Sequence, residues 1–162
     1  MNEQFNHIQI AQWILDKQLV WIASADAKVA VIISLETAAL AGIATAYSSS
    51  LSTTHWALLL SILTSALIFI SLFCAAMSVI PRTDGPKESI IFFTPIAKIS
   101  QVEFVDKLIA TPLDKIHKEI AIQIHRNAEI ANRKHCWVKR SMGWAFFAAI
   151  PWTSAVFMLI KK

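Results

Sequence analysis

The chain has 162 residues, 56% of them hydrophobic and 16% charged, with a formal net charge of +4. An average soluble domain is roughly 45–50% apolar and about a quarter charged, so this composition leans toward lipid rather than water. Three glycines leave little material for a Gly-rich nucleotide loop, and the length suits one domain rather than two.

Met1 to Gln9 has no basic n-region and no short apolar run ending in a small-residue cleavage site, so no secretory signal is expected. Phe5 to Ile22 reads as a helix carrying Trp13 and Trp21. Tryptophans favour the headgroup zone, although packing against a cytoplasmic module satisfies the same pattern. Residues 1–28 are thus an amphipathic cytoplasmic helix.

Three apolar runs follow. Val29 to Ser48 has Glu36 as its only charge, Trp56 to Ile80 has none, and Gly143 to Ile160 has none and contains Pro151. A helix needs about 20 apolar residues at ~1.5 Å each to cross a hydrocarbon layer of ~30 Å. The uncharged Ser49–His55 loop makes the first two runs a helical hairpin, over 29–80. Between Arg82 and Met142 there are eleven Lys or Arg against seven Asp or Glu, whereas the first 28 residues hold two Lys against three acids. By the positive-inside rule the basic stretch is cytoplasmic, which puts the N-terminus inside and the end of the third run outside. Lys161 and Lys162 run against that placement, and a re-entrant third segment is the alternative.

Residues 81–142 form the basic cytoplasmic module and 143–162 the last membrane segment. The module opens with a turn at Asp84-Gly85-Pro86 and a short β-like run, Ser89 to Thr94. Ser100-Gln101-Val102-Glu103 is a capping box that starts a helix through Ala110. Thr111 and Pro112 read as N-cap and first residue of the next helix, which nothing breaks before Gly143 and which runs on toward the third membrane segment. The expected fold is an all-α membrane protein: a helical hairpin, a third transmembrane helix and a mainly helical cytoplasmic segment with one short β-like run.

No catalytic constellation appears. The five histidines are scattered without i, i+4 pairing, and GxSxG, Walker, CxxC and GxGxxG patterns are missing from the sequence, so neither an enzyme, a metal nor a cofactor is expected. Cys74 and Cys136 read as free thiols. At about 100° per residue, Leu113, Ile116, Ile120, Ile124, Asn127, Ala131, Lys134 and Val138 share one face of the long helix. Asn127 on that stripe either fixes register, as a buried Asn does in coiled coils, or faces a ligand together with Lys134. Arg126, Arg133, Lys139 and Arg140 lie off the stripe, solvated or against anionic headgroups. Glu36 lies about 12 Å past Lys28 by helix rise, near mid-depth. Such a group is either satisfied by protonation or by a hydroxyl such as Thr64 or Ser65, or it lines a pore or gate. Asp26 and Lys28 flank the entry to that helix, either as ordinary boundary charges or with a defined salt-bridge role.

The order of these features resembles the transmembrane effectors of the Pycsar anti-phage system. The matching pieces are Asp26-Ala27-Lys28 and Ile80-Pro81-Arg82 around the hairpin, then Phe92-Phe93, Ile96-Ala97-Lys98-Ile99-Ser100 and Glu103-Phe104. Gln123-Ile124, Asn127 and Lys134 follow on the long helix, so the likeness covers roughly residues 20–150. Glu36 stands where a neutral polar residue such as Asn is expected, and Thr94 where Gly is expected. The resemblance implies a multi-pass protein of the bacterial inner membrane, N-terminus cytoplasmic, that works with a pyrimidine nucleotide cyclase. It implies a response to cyclic CMP or cyclic UMP and damage to the membrane; a homo-oligomer in the lipid bilayer is expected because pore-forming helical bundles must assemble, and no nucleic-acid partner is expected.

With that resemblance, Asn127, Lys134 and Arg126 become candidate ligand contacts, with Phe92 and Phe93 as aromatic faces for a base. Glu36, Asp26 and Lys28 become candidate gating residues. Two other readings share the pattern: a membrane effector answering a cyclic oligonucleotide, and a non-sensing anchor whose cytoplasmic helix recruits a partner.

Overall fold

A computed structural model describes residues 2–50, 53–81 and 89–160. Among them the chain forms five helices: α1 (Asn2–Ser49), α2 (His55–Val79), α3 (Phe93–Ile96), α4 (Gln101–Ala110) and α5 (Leu113–Ile160). Helices α1, α2 and α5 are each long and apolar enough to cross a membrane. The all-α membrane architecture expected from the sequence is therefore the observed one. Arg82, the Asp84-Gly85-Pro86 turn and Lys161-Lys162 lie outside the described residues.

Two compact units divide the chain. One comprises residues 1–23 and 81–132, the other residues 24–80 and 133–162. Helices α1 and α5, at 48 residues each, contribute to both units. Ala23 to Lys28 is helical like its flanks, because no Gly or Pro interrupts it.

The membrane unit is built inside out relative to a soluble bundle. Along α2 the buried positions are Ala57, Ser61, Thr64, Ile68, Ser71, Cys74, Ala75 and Ser78, and all but Cys74 follow alternating steps of four and three. That is a heptad seam of small and hydroxyl residues. Leu59, Ile62, Phe69 and Phe73 point outward and are more than half exposed. Lipid removes the hydrophobic reason to bury large side chains, so close backbone approach through small ones holds such helices together. Ala25, Val29 and Ile32 of α1 meet Ala75 of α2 and Val138 of α5 in one cluster, and Ala46, Ala57 and Leu159 form another. On α5 the stripe continues beyond Val138 through buried Ser141, Ala148, Ala155 and Leu159. Pro151 sits within α5 without ending it.

Helix ends follow their capping chemistry. The Thr54 hydroxyl accepts from the Ala57 amide at 3.3 Å and starts α2. Ser100 caps α4 as the sequence indicates, accepting from the Glu103 amide at 3.2 Å. Thr111 has a different role from the one expected. It is the C-cap of α4, its hydroxyl donating to the Lys107 carbonyl at 2.6 Å, and α5 begins at Leu113. Pro112 precedes the helix and lends its carbonyl to the Ile116 amide at 3.1 Å. Leu113, the first residue of the predicted stripe, is 65% exposed.

Candidate functional site

The first unit carries a side-chain-bound turn. Ser89 to Phe92 was expected to be extended, but it forms bends, and Phe93 and Thr94 already belong to α3. The physical reason is where its amides go. Glu119 Oε1 accepts from the Ile90 amide at 2.7 Å, from the Ile91 amide at 3.0 Å and from the Ser89 hydroxyl. Ser89 Oγ in turn accepts from the Ile91 and Phe92 amides at 3.1 and 2.8 Å, and from Gln123 Nε2 at 3.4 Å. Amides committed to side chains are lost to a strand ladder. Glu119 and Gln123 stand one turn apart on α5 and therefore share a face.

Phe92 and Phe93 follow at once, with ring centroids 4.9 Å apart and planes tilted by 47°. Phe93 is 61% exposed. Arg126 makes a 3.1 Å ion pair with Glu129 along the same helix, and Asn127 beside it is half-buried. Phe92, Phe93, Arg126 and Asn127 thus fall in the first unit, with Ser89, Ile90 and Gln123 buried in its interior.

Lys134, Asp26, Lys28 and Glu36 fall in the membrane unit. The Lys134 ammonium pairs with the Asp26 carboxylate, and the Ser78 hydroxyl donates to the Lys134 carbonyl at 3.4 Å. Asp26 therefore pairs with Lys134, and Lys28 is exposed. Deeper in the unit, the Ser71 hydroxyl donates to the Ser141 carbonyl at 2.7 Å, and the two hydroxyls lie 3.0 Å apart. Trp152 Nε1 donates to the Ala39 carbonyl at 2.9 Å.

Glu36 is 4% exposed, and neither of its carboxylate oxygens has a hydrogen-bond partner. Thr64, offered above as a partner, is itself buried with an unpartnered hydroxyl. Ser71 neighbours the carboxyl, but its hydroxyl is committed to Ser141. Glu36 borders a groove of about 470 Å³ whose other walls include Leu35, Ala38, Ile68, Ala148 and Trp152. A lone carboxyl among apolar walls binds nothing by multidentate chemistry, yet it is where water or a cation gains most by entering.

Ser89, Glu119, Ser71 and Ser141 carry the polar structure of the two units and were not singled out in the sequence. Their signals were present but faint. Glu119, Gln123 and Arg126 recur on one face of α5, and Ser71 sits in a heptad of small residues. Among the described residues no group of three His, Cys, Asp or Glu gathers as metal ligands do.

The chain matches the family described as the Pycsar effector protein domain over residues 10–161. It is 27% identical over 131 residues to the Pycsar effector protein PtPycTM of Propioniciclava tarda, an alignment covering 75% of this chain and 65% of the relative. The chain thus spans just under two thirds of that curated relative's length. No solved structure matches it. With a family match running from the first turns of α1 to the end of α5, the chain belongs to the Pycsar effector family.

Proposed function

We propose that this protein is a non-enzymatic membrane effector of an anti-phage signalling system, which responds to a cyclic pyrimidine mononucleotide and impairs the inner membrane. The observation that carries this reading is the family match over residues 10–161, which takes in both the membrane-length helices and the intervening module. The relative's printed name, a Pycsar effector, supports the same role. A pyrimidine nucleotide cyclase is the functional partner, a homo-oligomer the working form, and the N-terminus lies in the cytoplasm.

Recognition is assigned to the first unit. A cyclic mononucleotide offers one anionic phosphate and one flat base, which call for a cation or amide donors and for an aromatic face. Arg126 and Asn127 supply the polar contacts and the Phe92–Phe93 pair the face. Lys134 was a ligand candidate on the sequence; with its ammonium engaged by Asp26, it is assigned with Asp26, Lys28 and Glu36 to the response of the membrane unit. Ligand drives that response only so far as it binds the active state more tightly than the resting one.

Calorimetric titration of the detergent-solubilised chain with cyclic CMP, cyclic UMP, cyclic AMP and a cyclic dinucleotide tests the proposal. Selective binding of one pyrimidine mononucleotide is expected, with loss in Arg126→Ala and Phe93→Ala. Selective dinucleotide binding transfers the chain to a cyclic-oligonucleotide pathway. Silence toward all four from folded, monodisperse protein makes it an anchor or interaction subunit.

A further inference from the structure

The turn at Ser89–Phe92 presents more donors than its acceptor can use well. The Ser89 hydroxyl and the Ile90 and Ile91 amides converge on the single oxygen Oε1 of Glu119. One carboxylate oxygen has two lone pairs, so three donors crowd it. Successive amides turned to one side form a concavity that suits an oxyanion, and donors to an ionised group are the stronger kind. A cyclic phosphate has two non-ester oxygens sharing one charge, and would divide the same three donors between them. Two observations outside the turn bear on the same ligand. Phe92 and Phe93 continue directly from it, with Phe93 61% exposed. Arg126 lies two turns beyond Glu119 on the same face of α5.

From this geometry we infer that the Ser89–Phe92 turn is the seat for the nucleotide's phosphate, and that Glu119 is a resident anion holding the seat until the phosphate displaces it. The inference rests on the nucleotide reading above and adds to it both the place of the phosphate and a built-in competitor. A displaced Glu119 frees the turn from α5, so binding and the loss of a resting contact are one event. The carboxylate and the phosphate carry like charge, and only one of them fits at a time.

The test is titration of the full chain in detergent with cyclic CMP, cyclic UMP and inorganic phosphate, using Glu119→Gln and Glu119→Ala beside the unaltered protein. Circular dichroism and gel filtration establish that each variant is folded. Losing the resident charge should tighten binding of the anionic probes about tenfold, and adding Ser89→Ala to Glu119→Gln should reverse that gain. Gain toward phosphate without nucleotide binding in any protein upholds the seat and removes the nucleotide reading. Nucleotide binding by the unaltered chain that neither Glu119 variant strengthens upholds the reading and removes the seat. Binding of none of the probes by the folded variants overturns the seat as well.

Discussion

Glu36 and the Lys134–Asp26 pair show how differently two ionisable groups are treated within one membrane unit. Lys134 has a counter-charge, and its side chain is 13% exposed against 44% for Asp26. Partly exposed pairs of this kind are worth about 1 kcal/mol, so a double-mutant cycle on Asp26→Asn and Lys134→Gln should show a coupling near that size in thermal unfolding. Additive effects would mean that the pair contributes nothing. Glu36 has no such partner, and an unsatisfied buried polar group costs roughly 1–3 kcal/mol. Glu36→Leu should therefore melt higher than the unaltered protein, and under the proposed function it should no longer release dye from vesicles. A lower melting temperature would instead reveal a structural role for the carboxyl. Hydropathy alone made Glu36 stand out, since it is the single charge in its run. Its surroundings could not be read that way, because which hydroxyls have protons to spare depends on contacts such as Ser71 with Ser141.

At the scale of elements, the seam of α2 sets the strictest demands. Ala75 is fully buried against α1 and α5, so Ala75→Leu should destabilise the protein by about 1–3 kcal/mol through overpacking. Phe69→Leu, on the outward face at 63% exposure, should change stability little, and equal effects of the two would contradict the assignment of inner and outer faces. In the other unit, Ser100→Ala removes the α4 cap and should cost about 1 kcal/mol, visible as faster amide exchange in residues 101–104. Long elements were legible because their signals add over many residues. The period of α5 was readable from Ile116 to Val138 and continues to Leu159. Ser89–Thr94 was misread because its β-branched and aromatic residues look extended, while what bends them is Glu119, distant in sequence. Thr111 was misassigned by one element because a hydroxyl between two helices can serve either, and the Lys107 carbonyl claimed it.

For the whole molecule, membrane character followed from composition and run length, and the family from the order of short motifs around the hairpin and along α5. Composition separates the charged segments 1–28 and 81–142 from the apolar segments 29–80 and 143–162, and the two compact units are 1–23 with 81–132 and 24–80 with 133–162. The candidate site was legible in part. Phe92, Phe93, Arg126 and Asn127 fall in one unit, while Ser89 and Glu119, which fix the turn before the phenylalanines, escaped notice. The central claim is that a cyclic pyrimidine mononucleotide turns this protein against the bilayer that holds it. The most direct test reconstitutes the full chain in liposomes loaded with a self-quenched dye and adds cyclic CMP, cyclic UMP or cyclic AMP. Dye release, or collapse of an imposed potassium gradient, on addition of one pyrimidine nucleotide and not of cyclic AMP is the expected result. Intact vesicles with every nucleotide, from protein shown to be inserted and folded, would contradict the account.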